Sequence, residues 1–324
     1  MSMKILITGG TGFIGHALTT FLLSNGFSVR ITGLQRSPNL EAIGAEWLYM
    51  PDLRGDVDWG PALTGIDAVV HLAGLAHRIG INQETEAGDY DRINHLATKS
   101  LVDSISLNGS IKRFVFVSSI AVHGKPKKLP IKERDVCVPI NAYGQSKLLA
   151  ECSIREGLND KLVKWTILRP VLIYGPGNPG NMARLETLLR RSIPVPGNKV
   201  NRKSFLYVGN LIAVIDKYLT ISDPPSGRTW IVADDEAIST ERLIRCMAEA
   251  MKLSVTVISF PPWFLTAISG AGDALCSVGL PSPWNSDTHE KLLGDFYVHT
   301  ESIKQELGLQ LPYTIEEGIK HTFR

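Results

Sequence analysis

Neither sign of charge dominates this chain, and cysteine is scarce. Across 324 residues there are 34 Lys plus Arg and 32 Asp plus Glu, a formal net charge of +2. Such a balance lacks the basic excess that a dedicated nucleic-acid binder concentrates in one patch. The four cysteines, Cys137, Cys152, Cys246 and Cys276, form no CxxC pair. They supply no disulfide framework, and free thiols in a reducing cytosol are the expected state. Long apolar runs are missing too. Met1-Ser2-Met3-Lys4 leads straight into Ile5-Leu6-Ile7, and the following glycines interrupt the run too early for a signal peptide. Residues 260–284 are apolar but broken by Gly270, Gly272, Asp273, Gly279 and prolines, short of the about 20 residues a membrane-spanning helix needs. A buried or interfacial helix is expected there, with peripheral membrane contact left open and a cytoplasmic location implied. There is no internal repeat and no low-complexity tract. At 44% hydrophobic and 20% charged, the chain is too apolar for a disordered one. Its length suits one enlarged domain or two smaller ones.

The first half alternates strand and helix. Lys4-Ile5-Leu6-Ile7-Thr8 reads as a short buried strand, and residues 13–24 as a helix stopped by Asn25-Gly26. Further strands are expected at 28–32, 47–50, 68–72, 114–118 and 165–168, with helices between them, notably 91–107 and 142–155. Nearly continuous apolar strands separated by helices indicate a parallel sheet covered on both faces. The expected class is α/β, a Rossmann-like doubly wound sheet. After Pro170 the texture changes to loops rich in Pro, Gly and Asn at 175–180 and 192–201. Strands follow at 205–208, 229–233 and 255–258, with helices at 210–219, 240–251, 301–307 and 315–321. The expected division is a Rossmann domain over 1–175, completed by elements within about 205–235, and a smaller C-terminal α/β lobe over 176–324.

Thr8-Gly9-Gly10-Thr11-Gly12-Phe13-Ile14-Gly15 joins the first strand to the first helix. Gly9 permits a sharp turn. Gly12 lets a pyrophosphate approach the N–H groups of the helix start, at Phe13 and Ile14, and Gly15 lets helix and strand pack closely. This placement points to a dinucleotide. An NAD site calls for an acid at the end of the second strand, to bind the adenosine ribose. Here Val29-Arg30-Ile31-Thr32 ends in Gly33, and Arg36 follows. A missing carboxylate beside a guanidinium suits a 2′-phosphate, so NADP is favoured over NAD. Asp52-Leu53 stands where the adenine could be held. Leu72-Ala73-Gly74, ending the fourth strand, leaves room along the cofactor path.

Tyr143-Gly144-Gln145-Ser146-Lys147 opens a helix and sets Tyr143 and Lys147 four apart on one face. A neighbouring ammonium favours the phenolate, which makes a Tyr usable as acid or base near neutral pH. Ser118-Ser119 ends the strand Phe114-Val115-Phe116-Val117, at the carboxyl edge where doubly wound sheets place their ligands.

With Val117-Ser118-Ser119, Val122-His123-Gly124, Leu168-Arg169-Pro170 and Tyr174-Gly175-Pro176-Gly177, these motifs resemble the extended short-chain dehydrogenase/reductases. Within them the chain is similar to the nucleotide-sugar epimerase/dehydratase group typified by UDP-galactose 4-epimerase. The resemblance implies that Ser119 hydrogen-bonds the reacting sugar oxygen, that Tyr143 is the acid/base, and that Lys147 tunes Tyr143 and holds the nicotinamide ribose. It places Asn94 near the active site, among the residues that bind the substrate. It also assigns Asn181 and the Arg202-Lys203-Ser204-Phe205 segment to the nucleotide diphosphate, with either Arg202 or Lys203 on the phosphates. A homodimer through the helix bearing Tyr143 is implied as well. No metal site is expected, because His71 and His77 lack a third ligand and His123 reads as a packing residue.

The first expectation for activity is NADPH-dependent reduction of a UDP-4-keto-6-deoxy-N-acetylhexosamine. The alternative is a UDP-sugar 4-epimerase of the UDP-glucose or UDP-N-acetylglucosamine type, against which the missing acid at Gly33 counts. A 4,6-dehydratase would call for acids that Ser119-Ile120-Ala121 does not provide. The non-enzyme alternative is an NADPH-binding sensor. Charge distribution adds two local positive sites, Arg30 with Arg36 near the cofactor phosphate, and Arg184, Arg190, Arg191, Lys199, Arg202 and Lys203 around the diphosphate.

Overall fold

A computed structural model describes residues 3–323 except 51, 55–56, 77–82, 160, 179–180, 192–194, 198–199, 259–261, 278, 281 and 283, with backbone only at 83–86, 181, 195–196 and 262–263. The chain begins β1 (Lys4–Thr8), α1 (Phe13–Ser24), β2 (Ser28–Gly33), α2 (Pro38–Ala42), β3 (Glu46–Tyr49), α3 (Gly60–Leu63), β4 (Ala68–His71) and α4 (Gln83–Tyr90). A π-helical turn (Asp91–Leu96) leads into α5 (Ala97–Leu107), then β5 (Arg113–Val117), a 3₁₀ turn (Ile120–His123), α6 (Ala142–Leu158) and β6 (Lys164–Pro170). Next come β7 (Leu172–Tyr174), α7 (Asn181–Arg190), β8 (Val195–Pro196), β9 (Phe205–Tyr207), α8 (Val208–Thr220) and β10 (Arg228–Val232). The last elements are α9 (Thr240–Ala250), β11 (Val257–Ile258), α10 (Pro262–Ser277), α11 (Ser286–Leu293), α12 (Glu301–Leu307) and α13 (Ile315–Thr322).

Seven strands form one sheet in the order β10-β6-β5-β4-β1-β2-β3, every pair parallel. Parallel strands need covered crossovers, and a strand covered on both faces must be apolar along its length. Ile5, Leu6 and Ile7 of β1 and Val69 and Val70 of β4 are accordingly fully buried. α1 and α8 pack together, while α5 packs on α6. One core cluster joins Trp59, Leu101, Val102 and Ile105 to Phe114, Phe116, Ala150, Ile154 and Trp165. Strand order reverses between β1 and β4, so the loops after these strands diverge and open a crevice at their carboxyl ends. The glycine loop follows β1, Gly74 follows β4, and Ser119 follows β5.

The chain divides into two compact units. The first comprises Met1–Val171, Val208–Ala233 and His299–Pro312, and the second Leu172–Tyr207, Asp234–Val298 and Tyr313–Arg324. The boundaries differ from the sequence division by the inclusion of 299–312 in the first unit. The reason is apolar: Ile303 and Leu307 of α12 are buried, and α12 lies against the edge strand β10. In the second unit β7 pairs with β9 and β8 with β11, both parallel. Asp234 there accepts from the Tyr174 hydroxyl (3.0 Å) and the Tyr207 N–H (3.0 Å). The apolar stretch of residues 260–284 yields α10, with Leu265 and Ser269 buried and Ile268 and Leu275 exposed. Among the described residues, no helix is long and apolar enough to cross a membrane.

Two local differences from the sequence reading have simple causes. The helix expected at 91–107 starts with a π turn, which carries one extra residue per turn and escapes a periodicity reading. Helix α7 lies between the loops expected at 175–180 and 192–201, a stretch to which the sequence reading assigns no element.

Candidate active site

The glycine loop is shaped by contacts that exclude a side chain. Gly9 has φ +70°, and a Cβ there would sit 2.8 Å from the Ala73 nitrogen. At Gly15 a Cβ would approach the Gly9 carbonyl oxygen to 2.2 Å, so α1 rests directly on the turn. The N–H groups of Gly9 and Gly10 both donate to the Thr32 carbonyl, at 3.1 and 3.2 Å, tying the turn to β2. Gly12 is the N-cap of α1 and provides no side-chain cap, and the first turn holds no acid. The helix start, with Phe13 and Ile14 half-buried, therefore presents N–H groups and a positive dipole end to an anion. Thr8 Oγ1 accepts from the N–H groups of Leu72 and Ala73, both at 3.2 Å, which brings the ends of β1 and β4 together. The cradle fits a dinucleotide pyrophosphate.

The basic residues near this cradle are engaged elsewhere. Arg36 forms a two-point ion pair with Glu41, Nε to Oε1 at 2.8 Å and Nη2 to Oε2 at 2.7 Å. Arg30, expected beside the cofactor phosphate, instead turns into the sheet edge. Its guanidinium donates to the carbonyls of Pro61, Ala62 and Thr64 at the end of α3 and pairs with Glu46. Gly33 ends β2, and a Cβ there would lie 2.9 Å from Thr11 Oγ1, so this position has little room for an acid. Asp52 is exposed and held by Arg54, which also pairs with Asp89; Leu53 packs on the core.

Ser119, Tyr143 and Lys147 converge at the carboxyl end of β5. Ser119 is the N-cap of the 3₁₀ turn and accepts from the Ala121 N–H at 3.2 Å. Asn141 caps α6 by accepting from the Gly144 N–H at 2.8 Å, fixing the first turn that bears Tyr143. The Tyr143 phenol is hydrogen-bonded to Ser119, and its ring meets Tyr90 edge-on with centroids 5.8 Å apart. Burial pushes the phenol above its usual value, with the Ser119 hydrogen bond opposing. Lys147 donates to the Val117 carbonyl at 3.1 Å and lies over the Phe116 ring. Burial pulls its ammonium down to about 8, and the Glu151 carboxylate opposes this. Sequence reasoning has Lys147 favouring the phenolate. In the structure burial is the largest effect on the phenol and Ser119 the group that opposes it, while the Lys147 ammonium donates to the Val117 carbonyl.

Gly74 completes the group: a Cβ there would lie 2.8 Å from Asn94 Oδ1 and 3.4 Å from Lys147 Nζ. Asn94, in the π turn, is fully buried. Its Oδ1 accepts from the Leu75 N–H at 2.7 Å, and its Nδ2 donates to the Leu75 carbonyl and to Ser146 Oγ, each at 3.1 Å. The amide thus ties the loop after β4 to α6. Its polar atoms are turned to Leu75 and Ser146, so in this structure the amide joins elements of the site. His71, also buried, bridges Thr8 (2.6 Å) and Thr98 (2.9 Å). His77 lies outside the described residues.

The model of the NAD dependent epimerase/dehydratase family matches residues 5–233. The chain belongs to this family. Among its curated relatives is the UDP-glucose 4-epimerase of Vibrio cholerae, 27% identical, covering 99% of this chain and 95% of the relative. A second, from Escherichia coli O157:H7, is the N-acetyl-alpha-D-glucosaminyl-diphospho-ditrans,octacis-undecaprenol 4-epimerase, 26% identical, covering 100% of this chain and 95% of the relative. The solved structure of UDP-glucuronic acid 4-epimerase from Bacillus cereus with NAD shares the fold, with TM-score 0.76 and 19% identity over 99% of this chain and 96% of that one.

In this epimerase/dehydratase family member the remaining candidates lie in the second unit. Lys203 is buried, its backbone bridging Ile238 and Phe296, and its Nζ reaches the Glu290 carbonyl at 3.5 Å. Burial pulls this ammonium down to about 8. Arg202 is exposed and lies over the Tyr297 ring at 4.3 Å. Asn181 begins α7, and its side chain lies outside the described residues. Sequence reasoning missed Glu151, which is completely buried between α6 and β6. Its one signal is its place four residues after Lys147.

Proposed function

We propose that the protein is a nucleotide-sugar 4-epimerase using NAD. The observation that carries this reading is the joined Ser119–Tyr143 pair with Lys147 and Gly74 beside the glycine cradle. Support comes from curated 4-epimerases that match the chain nearly end to end. A bound nicotinamide supplies hydride acceptance from, and return to, C4 of the sugar. Burial keeps the Tyr143 phenol protonated at rest, the form that donates to a ketone oxygen. For the oxidising half-reaction the phenol first releases its proton to solvent; the phenolate then takes the O4 proton as hydride leaves C4 and gives it back as hydride returns, with the Ser119 hydroxyl hydrogen-bonding O4 and holding the sugar in register. Lys147 holds the nicotinamide ribose, and Gly9, Gly12 and Gly15 accommodate the pyrophosphate. Of the two basic neighbours, Arg202 is exposed and Lys203 buried, which supports Arg202 as the residue for the sugar-nucleotide diphosphate.

One observation favours a second reading, the NADPH-dependent 4-ketoreductase. Gly33 offers no carboxylate to a ribose 2′-hydroxyl, and Arg36 would contact a 2′-phosphate if it left Glu41. The deciding experiment incubates the pure protein with UDP-glucose and UDP-N-acetylglucosamine, with and without NAD, and in parallel with a UDP-4-keto-6-deoxy sugar and NADPH. Interconversion of C4 epimers without net consumption of cofactor is expected. Stoichiometric oxidation of NADPH with no epimerisation overturns the first reading in favour of the second.

A further inference from the structure

Glu151 gathers four hydrogen bonds on a carboxylate that no solvent reaches. Oε1 accepts from Ser118 Oγ at 2.6 Å and Arg169 Nε at 2.9 Å. Oε2 accepts from Arg169 Nη2 at 2.6 Å and Arg155 Nη2 at 2.9 Å. Three elements meet there: β5 through Ser118, β6 through Arg169, and α6 through Glu151 and Arg155. Ser118 directly precedes Ser119, and Lys147 lies one helical turn before Glu151 on the same face.

We propose that Glu151 is a positioning residue of the candidate site, clamping the Ser118–Ser119 strand end onto α6 and setting a buried negative charge one helical turn from Lys147. The inference rests on the reading of Ser119, Tyr143 and Lys147 as the reacting group.

The charge arrangement around Lys147 is sparse. β4 contributes His71, neutral through burial; β5 contributes the Val117 carbonyl and the Phe116 face; the loop after β4 contributes Gly74 and, behind it, the Asn94 amide. From α6 come Tyr143, protonated, and Glu151. Among the described residues, Glu151 is the acid that opposes the desolvation of Lys147. Its own surroundings are cationic: Arg169, fully enclosed, and Arg155, whose side chain is 38% exposed. Beyond Arg169 stand His123, bonded through Nε2 at 3.0 Å and kept neutral by burial and by Arg169, and the Cys137 thiol, raised by burial. Glu133 and Asp135 act on His123 from the loop that follows. One carboxylate facing two guanidiniums is the balance point: neutralising it exposes Lys147 to uncompensated positive charge, and removing Arg155 strengthens its field.

A structural clamp alone gives no sign to these changes, whereas charge control gives opposite ones. The test titrates Lys147 by NMR of lysine labelled at its ε-carbon, the signal being assigned by its loss in Lys147→Met. In Glu151→Gln the Lys147 midpoint should fall by about one pH unit or more, and in Arg155→Met it should rise. Glu151→Asp, which keeps the charge, should restore the midpoint toward that of wild type. The measurement needs no sugar turnover, so an absent epimerase activity would count against the proposed reaction and not against this assignment. If Glu151→Gln does not fold, Arg155→Met, at a partly solvated position, carries the test. An unchanged Lys147 midpoint in Glu151→Gln, or an unchanged or lowered one in Arg155→Met, overturns the proposal.

Discussion

Glu41 holds Arg36 by both oxygens, so the guanidinium nearest the end of β2 is already paired. The pair is solvent-exposed and easily exchanged for a stronger anion. Glu41→Gln should therefore raise affinity for NADP severalfold and leave affinity for NAD nearly unchanged, by calorimetric titration with each dinucleotide. If neither affinity moves, Arg36 has no part in reading the 2′ position.

The hydroxyl pair makes a sharper demand. Tyr143→Phe removes the proton that moves and leaves the ring packed on Tyr90. Turnover should drop by about 10²-fold or more, with NAD binding intact by fluorescence titration. A variant that turns over at the wild-type rate would take Tyr143 out of the chemistry.

Gly15 tests the cradle. Its missing Cβ would press on the Gly9 carbonyl, which the turn cannot move without breaking the Gly12 N–H bond to it at 3.0 Å. Gly15→Ala should lose about 1–3 kcal/mol in urea unfolding and bind NAD at least about tenfold more weakly, given the close approach that pyrophosphate requires. Gly109→Ala, where a Cβ meets open space, serves as the control and should stay within about 0.5 kcal/mol.

Two buried imidazoles give the fold a pH dependence. Burial pulls His71 down to about 3 and His123 to about 4, from an ordinary value of 6.5. Below that ordinary value the unfolded chain binds protons that the folded chain refuses. The contribution of these rings is therefore nearly complete well above about pH 6.5 and declines as the medium acidifies, by at most about 1.4 kcal/mol per pH unit for each ring. Urea midpoints at pH 7.5, 6.0 and 5.0 measure the slope before the carboxylates titrate. His71→Gln should flatten it, and an equal slope in that variant would mean that His71 is not the group being protonated.

What the sequence made legible is what local chemistry decides. Apolar runs such as Phe114-Val115-Phe116-Val117 leave a buried parallel strand as the reading, and the spacing of Gly9, Gly12 and Gly15 follows from one turn and one helix start. The less legible residues are those whose meaning depends on a distant partner. Arg30 looked like a phosphate ligand because nothing nearby in sequence says that it ends on the α3 carbonyls. Asn94 read as a substrate contact, and the ties of its amide to Leu75 and Ser146 had no sign in the sequence. Glu151 carried only its spacing from Lys147 as a signal, since its partners Ser118 and Arg169 lie far from it in sequence.

The division of the chain also governs how it can be made. The first unit is assembled from three separate stretches, the last being His299–Pro312, and the second from three that alternate with them along the chain. No single cut releases either unit whole. A fragment ending near residue 175 lacks β10, α8 and α12, leaving β6 as a bare apolar edge open to pairing with another chain. During synthesis the sheet whose edge carries Ser119 gains its last strand only with β10, at Arg228–Val232, and the helix that covers that edge strand, α12, follows only at Glu301–Leu307, so a truncation before α12 leaves β10 without it.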